Sequence, residues 1–279
     1  MDDGTKGRRQ PVPRHMDPYH KREEPSEIDT DRWEGIIEGR NAVTEALRAG
    51  RPLDKIYIAK GETDAALGHI ASIARQAGAV VVEADRRKLD GMSVTHAHQG
   101  VIALASVKAY VSIEEILQIA RDRNEPPFII VCDEISDPHN LGAIIRTAEC
   151  TGAHGVIVPK RRSAGMTAVV SKTSAGAVEY MAVARVSNIT AALSELKKAG
   201  VWVYGADAGG ASHIWQTDLS GPSALVIGSE GEGLGRLVLE NCDFRVRIPM
   251  VGKISSLNAS VSASVIMYEA LRQRSMNGK

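Results

Sequence analysis

The stretches ALVIGSEGEGLG (residues 224–235) and GKISSLNASVSASV (residues 252–265) say most about the fold of this chain. The first runs from an apolar strand into a turn with four glycines and two glutamates. The second is rich in serines and other small residues and leads into a helix. Upstream, DPHNLGAIIRTAECTGAHGVIV (residues 137–158) places one arginine in an otherwise apolar helix start. Because sites in α/β proteins form in loops after parallel strands, these segments predict a site at the ends of buried strands.

The chain around these segments alternates strands with helices. FIIVCDEI (128–135) is a continuous apolar run, which is typical of a strand buried on both faces. The alternation that follows predicts a mostly parallel sheet covered by helices. We expect further strands at 155–159, 181–186, 201–206, 224–228 and 244–249, and helices at 188–199 and 256–274.

Residues 34–108 carry a second, smaller pattern of the same kind. It comprises a helix ended by Gly50, a helix capped by Thr63, and strands near 55–59, 79–84 and 100–106. This pattern predicts a small N-terminal α/β domain.

Three other parts complete the organisation. Residues 1–33 are rich in charged residues and proline and almost lack aliphatic side chains, so we expect a disordered tail. Residues 109–126 are expected to form a linker helix that begins at a capping box of Ser112 and Glu115. Residues 127–279 then form the C-terminal α/β domain.

Composition excludes several classes of protein. The formal net charge is zero, which argues against nucleic-acid binding through bulk charge and leaves that role to local patches. The three cysteines are far apart, and no CxxC or Cys/His cluster occurs, so we expect neither a disulfide framework nor a metal site. No signal peptide or membrane-spanning run is visible, so we expect a cytoplasmic protein with no membrane partner.

The candidate site residues lie in the three segments quoted first. Asn140 stands where a helix cap is expected, and Arg146 lies at the flank of an apolar helical stripe. For an arbitrary helix, an exposed surface arginine is the simpler interpretation, but this helix follows a buried strand. Glu230 and Glu232 put negative charge into the glycine-rich loop, which would repel a dinucleotide and suits a ligand with a cationic centre. The alternative is a bare turn.

The helix that follows residues 252–258 offers free backbone N–H groups at its start, with Ser256 or Asn258 as its cap.

In this order and near this spacing, the three segments resemble motifs one, two and three of the SpoU (TrmH-type) branch of the SPOUT methyltransferases, over roughly residues 128–275. Residues 34–108, with HQGVIA at 98–103, resemble the small substrate-binding domain, similar to ribosomal protein L30e, that many members carry. The subgroup with the greatest similarity is the RlmB-like group, which methylates a guanosine ribose in large-subunit (23S) ribosomal RNA.

The resemblance implies a fold, a cofactor and a partner. The C-terminal domain would be an α/β trefoil knot that binds S-adenosylmethionine, in a homodimer with active sites at the subunit interface. Gly228, Ile248 and Leu257 would contact the cofactor, largely through backbone groups.

The resemblance also assigns the catalytic residues. Arg146 would be the catalytic arginine, with Asn140, Glu230 and Asn258 as its polar partners. Because a guanidinium stays charged, we expect Arg146 to bind the adjacent phosphate and stabilise charge on the attacking ribose oxygen rather than act as a base.

RNA contacts are expected at Lys160, Arg161 and Arg162, which directly follow a strand at the rim of the site. A solvated charged surface is the alternative for these residues. Two other functions stay open: the same chemistry on tRNA, and a non-catalytic RNA-binding factor in ribosome assembly. A dinucleotide-dependent enzyme is disfavoured, because no GxGxxG loop follows the strand at 128–135.

Overall fold

The structure is a computed structural model that describes Met1 and residues 35–61, 64–105 and 109–277. The expected tail, apart from Met1, lies outside the described residues, and so does Thr63. The helix that Thr63 was expected to cap is capped instead by Asp64, whose Oδ1 accepts a hydrogen bond of 2.8 Å from the Ala66 N–H. Two sheets organise the described part of the chain, one of four strands and one of seven.

The smaller sheet is mixed, with strand order β1-β4-β2-β3, and only β2 and β3 run parallel. Its strands are β1 (Ile36–Glu38), β2 (Leu53–Ala59), β3 (Val80–Ala84) and β4 (Val101–Ala105), and its helices are α1 (Arg40–Arg48), α2 (Ala65–Gln76) and α3 (Arg86–Met92). Strand β1 has three residues, too few to give a periodic pattern, and the sequence therefore did not predict it.

The larger sheet is parallel throughout, as predicted, with strand order β7-β6-β5-β10-β8-β11-β9. Its strands are β5 (Phe128–Cys132), β6 (Gly155–Pro159), β7 (Val183–Val186), β8 (Trp202–Ala206), β9 (Ser212–His213), β10 (Ser223–Ile227) and β11 (Phe244–Arg247). Its helices are α4 (Ile113–Asp122), α5 (Pro138–Cys150), α6 (Ala168–Thr173), α7 (Ile189–Lys198), α8 (Arg236–Asn241) and α9 (Ala259–Asn277).

Helices cover both faces of this sheet. Helices α5, α6 and α9 share one apolar core with the sheet, whereas α4, α7 and α8 share another on the opposite face. All five residues of β5 are buried, which explains their unbroken apolar character. Helix α4 begins at the predicted capping box of Ser112 and Glu115, which is confirmed, and it packs against the larger sheet. The trefoil knot implied by the resemblance stays a prediction.

Two helix starts differ from the sequence-based expectation. Helix α5 begins at Pro138 and is capped by Asp137, whose Oδ1 accepts a hydrogen bond of 2.8 Å from the His139 N–H. Asn140 is therefore not the cap but a buried residue in the first turn. An aspartate followed by proline is the stronger start signal, because proline is preorganised for the first helical position.

The last helix likewise begins at Ala259 rather than Ser256, with Asn258 as its cap: the Asn258 Oδ1 accepts hydrogen bonds from the N–H groups of Ser260 and Val261.

Candidate active site

A cavity of about 510 Å³ opens at the carboxyl ends of β8, β10 and β11. Parallel strands bring the loops that follow them to one edge of the sheet, and these loops form its walls. Gly228, Ile248 and Leu257, the three residues expected to hold a cofactor, all line it. Asp207 also lines the cavity and directly follows β8. The sequence analysis did not predict this residue, although its position directly after a strand, like that of Asp133 after β5, could have indicated it.

The glycine-rich loop after β10 closes on itself beside the cavity. Ser229 and Gly233 exchange backbone hydrogen bonds of 3.0 and 2.9 Å. A Cβ atom at Gly228 would lie 2.2 Å from the Gly233 carbonyl, and Gly233 itself has a φ of +70°. Glycine is thus required at position 228 for the close approach and favoured at 233 for its left-handed backbone.

Asp133 anchors the same loop to the end of β5. Its Oδ2 accepts a hydrogen bond of 2.9 Å from the Gly235 N–H. Burial raises the pKa of the Asp133 carboxyl, against the opposing effect of that hydrogen bond. The loop is therefore fixed to two neighbouring strands.

Three of the predicted catalytic residues meet at the mouth of the cavity. Asn140 donates from Nδ2 to Glu230 Oε1 at 2.7 Å, and Asn258 donates from Nδ2 to Asn140 Oδ1 at 3.1 Å. The Asn258 amide also contacts Glu230 Oε1. Each residue comes from a different one of the three segments, so the folded chain joins them through direct side-chain contacts. We call Asn140, Glu230 and Asn258 the polar cluster.

Arg146 is not part of the polar cluster. Its side chain is exposed on α5, does not line the cavity, and has no hydrogen-bond or ion-pair partner among the described residues. The neighbouring Thr147 contacts α9 instead, with 3.0 Å between its Oγ1 and the Ser264 Oγ. A single chain therefore brings together three of the four predicted catalytic residues and leaves the arginine exposed to solvent.

The predicted RNA-binding residues follow β6 at the same edge of the sheet. Lys160, Arg161 and Arg162 are all exposed. Arg162 Nη1 lies 3.0 Å from Glu134 Oε1, in an exposed ion pair that contributes little stability. None of the three lines the cavity, and their contact with RNA stays a prediction.

Two kinds of feature are absent from the described ranges. No group of three or more His, Cys, Asp or Glu side chains could hold a metal ion in the described part of the chain. No helix among the described residues is both long enough and apolar enough to cross a membrane.

Comparison with known proteins identifies the two units. Residues 127–268 match the model of the SpoU rRNA methylase family. Residues 36–111 match a model described as RNA 2′-O ribose methyltransferase substrate binding.

Individual relatives agree with these matches. The chain is 45% identical over 241 residues to YacO of Bacillus subtilis, assigned to the TrmH family of tRNA/rRNA methyltransferases, covering 86% of this chain and 96% of that protein. The SpoU methyltransferase AviRb of Streptomyces viridochromogenes, crystallised with the cofactor AdoMet, is 26% identical with a TM-score of 0.75, covering 88% of this chain and 92% of AviRb.

A tRNA-modifying TrmH/SpoU enzyme of A. aeolicus is also 26% identical, but its TM-score is 0.50 and it covers only 59% of this chain, and 85% of its own. The extent of the family match and the identity to YacO decide the matter: this chain belongs to the SpoU family of RNA methyltransferases and joins its methylase domain to an N-terminal substrate-binding domain.

Proposed function

We propose that this protein transfers the methyl group of S-adenosylmethionine to the 2′-hydroxyl of a guanosine ribose in large-subunit (23S) ribosomal RNA. The observation that carries the proposal is the polar cluster, in which residues from all three motif-like segments make direct contact beside one cavity. A methyl transfer of this kind needs a bound cofactor, an oriented hydroxyl and a group that stabilises charge on the attacking oxygen.

The cavity fits the proposed cofactor in size and chemistry. Its volume of about 510 Å³ lies within the range typical of small-molecule sites. Glu230 and Glu232 line it with carboxylates, which favour a ligand with a sulfonium and an amine, while Ile248 and Leu257 supply apolar contacts. S-adenosylmethionine would supply an electrophilic methyl group there, and AviRb, the structural relative described above, binds the same molecule.

The polar cluster and Arg146 would act on the RNA. Glu230 accepts hydrogen bonds from both asparagine amides and so fixes Asn140 and Asn258 in one orientation. Arg146 would bind the phosphate next to the target ribose and stabilise negative charge on the ribose oxygen as that oxygen takes the methyl carbon. The bond between methyl and sulfonium sulfur would break as the new bond forms, and the hydroxyl proton would pass to water. The guanidinium stays protonated throughout.

A homodimer would complete this site. Arg146 is exposed on α5, and the adjacent α9 exposes Val261 and Tyr268 to solvent. Exposed apolar side chains on an otherwise well-packed helix favour a protein interface. In a dimer formed through α5 and α9, Arg146 of one subunit would face the polar cluster of the other.

The substrate-binding domain favours ribosomal RNA over tRNA as the target. The tRNA-modifying relative from A. aeolicus matches only 59% of this chain, and the family model that matches residues 127–268 is described as an rRNA methylase. The same chemistry on tRNA is the alternative, since YacO carries both substrates in its name.

The test is a methyl-transfer assay with labelled S-adenosylmethionine on unmodified bacterial large-subunit rRNA and unmodified tRNA, followed by nuclease digestion. Label in a 2′-O-methylated guanosine of rRNA supports the proposal, and label in tRNA alone overturns the substrate. No label in either RNA, with cofactor binding intact, would favour a non-catalytic assembly factor.

A further inference from the structure

Lys172 of α6 connects the methylase domain to a loop of the substrate-binding domain. Its Nζ donates to Thr95 Oγ1 at 3.0 Å and to the Ala97 carbonyl at 2.6 Å. Neither hydrogen-bond partner is charged, so the ammonium serves here as a directed hydrogen-bond donor between two domains, and it is also attracted electrostatically by the Glu38 carboxylate.

Lys172 binds the loop of residues 93–100, and hydrogen bonds within the substrate-binding domain also hold this loop in place. The carboxylate of Glu38 is fully buried and accepts hydrogen bonds from Ser93 Oγ at 2.7 Å and Thr95 Oγ1 at 2.6 Å. The backbone N–H of Val94 donates to the same carboxylate. Thr95 thus donates to Glu38 and accepts from Lys172, which links the core of one domain to a helix of the other.

The same loop holds two residues in an uncommon backbone conformation. His96 and Gln99 have φ values of +52° and +54°, a region that non-glycine residues occupy only when surrounding contacts enforce it. His98 supplies such a contact, since its Nδ1 accepts from the Gly100 N–H at 3.0 Å and its Nε2 lies 3.0 Å from Asp90 Oδ1. His96, by contrast, is exposed at the surface of the loop.

This junction lies close to the candidate active site. Thr173, the residue after Lys172, has its Oγ1 3.4 Å from the His139 Nδ1. His139 directly precedes Asn140, which bonds Glu230. A short series of contacts therefore connects the loop of the substrate-binding domain with the polar cluster.

A second contact holds the same two domains together. Arg51 Nη1 lies 2.6 Å from Glu179 Oε1, and their side chains are only 12% and 2% exposed. Such a buried pair is strongly destabilising to break. The ion pair can hold the domains in contact, whereas the hydrogen bonds from the described part of the methylase domain to the loop itself come from Lys172.

We propose that Lys172 is a positioning residue that fixes loop 93–100 beside the polar cluster, so that the substrate-binding domain and the methylase domain present one continuous surface to RNA. The inference rests on the proposed function for its RNA substrate. With the loop fixed, RNA bound to the substrate-binding domain would lie at a fixed distance from the cofactor cavity. This raises the effective concentration of the target ribose at the site. His96 is then the exposed loop residue best placed to touch that RNA.

The test compares Lys172→Met, which removes the ammonium and keeps the apolar stem, with Lys172→Arg and with Lys198→Met. Lys198 is an exposed lysine of α7, on the opposite face of the sheet, and controls for the loss of one charge. Hydrogen exchange of the segment 93–101 is measured without RNA, and KM for RNA, kcat and cofactor affinity are measured with it.

In Lys172→Met we expect faster exchange in 93–101 and a KM for RNA raised about tenfold, with kcat at saturating RNA and cofactor affinity little changed. Lys172→Arg should restore most of the KM, and Lys198→Met should match the wild type. Thr95→Val removes the bridging hydroxyl from the other domain and should reproduce Lys172→Met.

Two negative results have different meanings. Unchanged exchange and unchanged KM in Lys172→Met would overturn the positioning role, even in an active enzyme. A wild type that methylates no RNA would overturn the proposed function, whereas the exchange measurement would still decide whether Lys172 fixes the loop.

Discussion

Asn140 donates a hydrogen bond of 2.7 Å to Glu230, a residue 90 positions further along the chain. Neither side chain is held by its own element alone: Asn140 projects from the first turn of α5, and Glu230 from the loop after β10. The parallel sheet places β5 next to β10, so the elements that follow these strands start side by side. The contact between Asn140 and Glu230 is therefore a direct consequence of strand order.

Glu230→Gln tests whether the cluster needs a carboxylate. Glutamine keeps the size of the side chain but weakens acceptance from two amides, each charge-assisted bond being worth about 1.5–3 kcal/mol. We expect kcat/KM for methyl transfer to fall about 10- to 100-fold.

Glu232→Gln is the matched control for that experiment. Glu232 lies in the same loop and lines the cavity, but it has no hydrogen-bond partner among the described residues. An equal loss of activity in both variants would contradict a specific role for the cluster and would point to loop charge alone.

Arg146→Lys separates charge from geometry at the exposed arginine. Lysine keeps the positive charge but lacks the planar fork that binds a phosphate through two parallel bonds. We expect single-turnover methyl transfer to slow by about 100-fold, with cofactor affinity unchanged. Wild-type turnover in this variant would rule out both phosphate binding and charge stabilisation by Arg146.

Mixed dimers test whether the site is shared between subunits. Arg146→Ala and Glu230→Gln are each expected to keep at most about a tenth of the wild-type activity alone. If Arg146 acts on the partner's cluster, a heterodimer of the two variants has one site with both native residues. Mixing should then recover activity, whereas a chain that carries both changes, mixed with either variant, should recover none. No recovery from dimers shown to have exchanged subunits would place both residues in one subunit's site.

Sequence alone identified the components of the cluster but not their arrangement. Asn140, Glu230 and Asn258 were predicted because short motifs fix residue types locally, and the structure adds that they contact one another. Arg146 was expected at the flank of the apolar stripe of its helix and is exposed there, but helical periodicity does not encode which group its side chain contacts.

Long-range contacts were missed for a related reason. Lys172 and Thr95 are 77 positions apart in different domains, and nothing in the sequence near either residue indicates the other. The start of α5 was misplaced because Asn140 is itself a good cap residue, although the preceding Asp137 and Pro138 make the stronger signal.

Arg274 should be essential for stability rather than for catalysis. Arg274 lies near the end of α9, and its guanidinium lies over the Phe128 ring. It donates hydrogen bonds to groups near the starts of β5 and β10, namely the carbonyls of Pro126, Pro127, Leu219 and Gly221 and the Ser223 hydroxyl. Burial lowers its pKa to about 10. Because Arg274→Met leaves several part-buried acceptors without a donor, we expect a loss of about 3 kcal/mol in the free energy of unfolding, measured by urea denaturation.

Arg272→Met is the control on the same helix. Arg272 is exposed and bonds mainly to Glu269, so we expect a much smaller loss. A similar loss in both variants would mean that α9 depends on helical charge rather than on the anchoring of its end.

His154 should make stability fall at acidic pH. Its Nδ1 accepts from the Phe128 N–H at 2.9 Å and its Nε2 lies 3.0 Å from Glu125 Oε2, an arrangement that suits the neutral ring. Burial lowers its pKa below the ordinary 6.5, against the opposing effect of Glu125. The unfolded chain therefore takes up a proton at a higher pH than the folded chain does. As a result, the stabilising effect is complete above pH 6.5 and is lost as the pH falls from 6.5 towards the lowered pKa.

His154→Asn removes this titration while its amide oxygen can still accept from the Phe128 N–H. Urea denaturation between about pH 5 and 7.5 should show a flatter pH dependence for this variant than for the wild type. His69→Asn, at an exposed histidine of α2, should leave the wild-type profile unchanged. Parallel profiles for the wild type and His154→Asn would show that the buried ring does not couple folding to protonation.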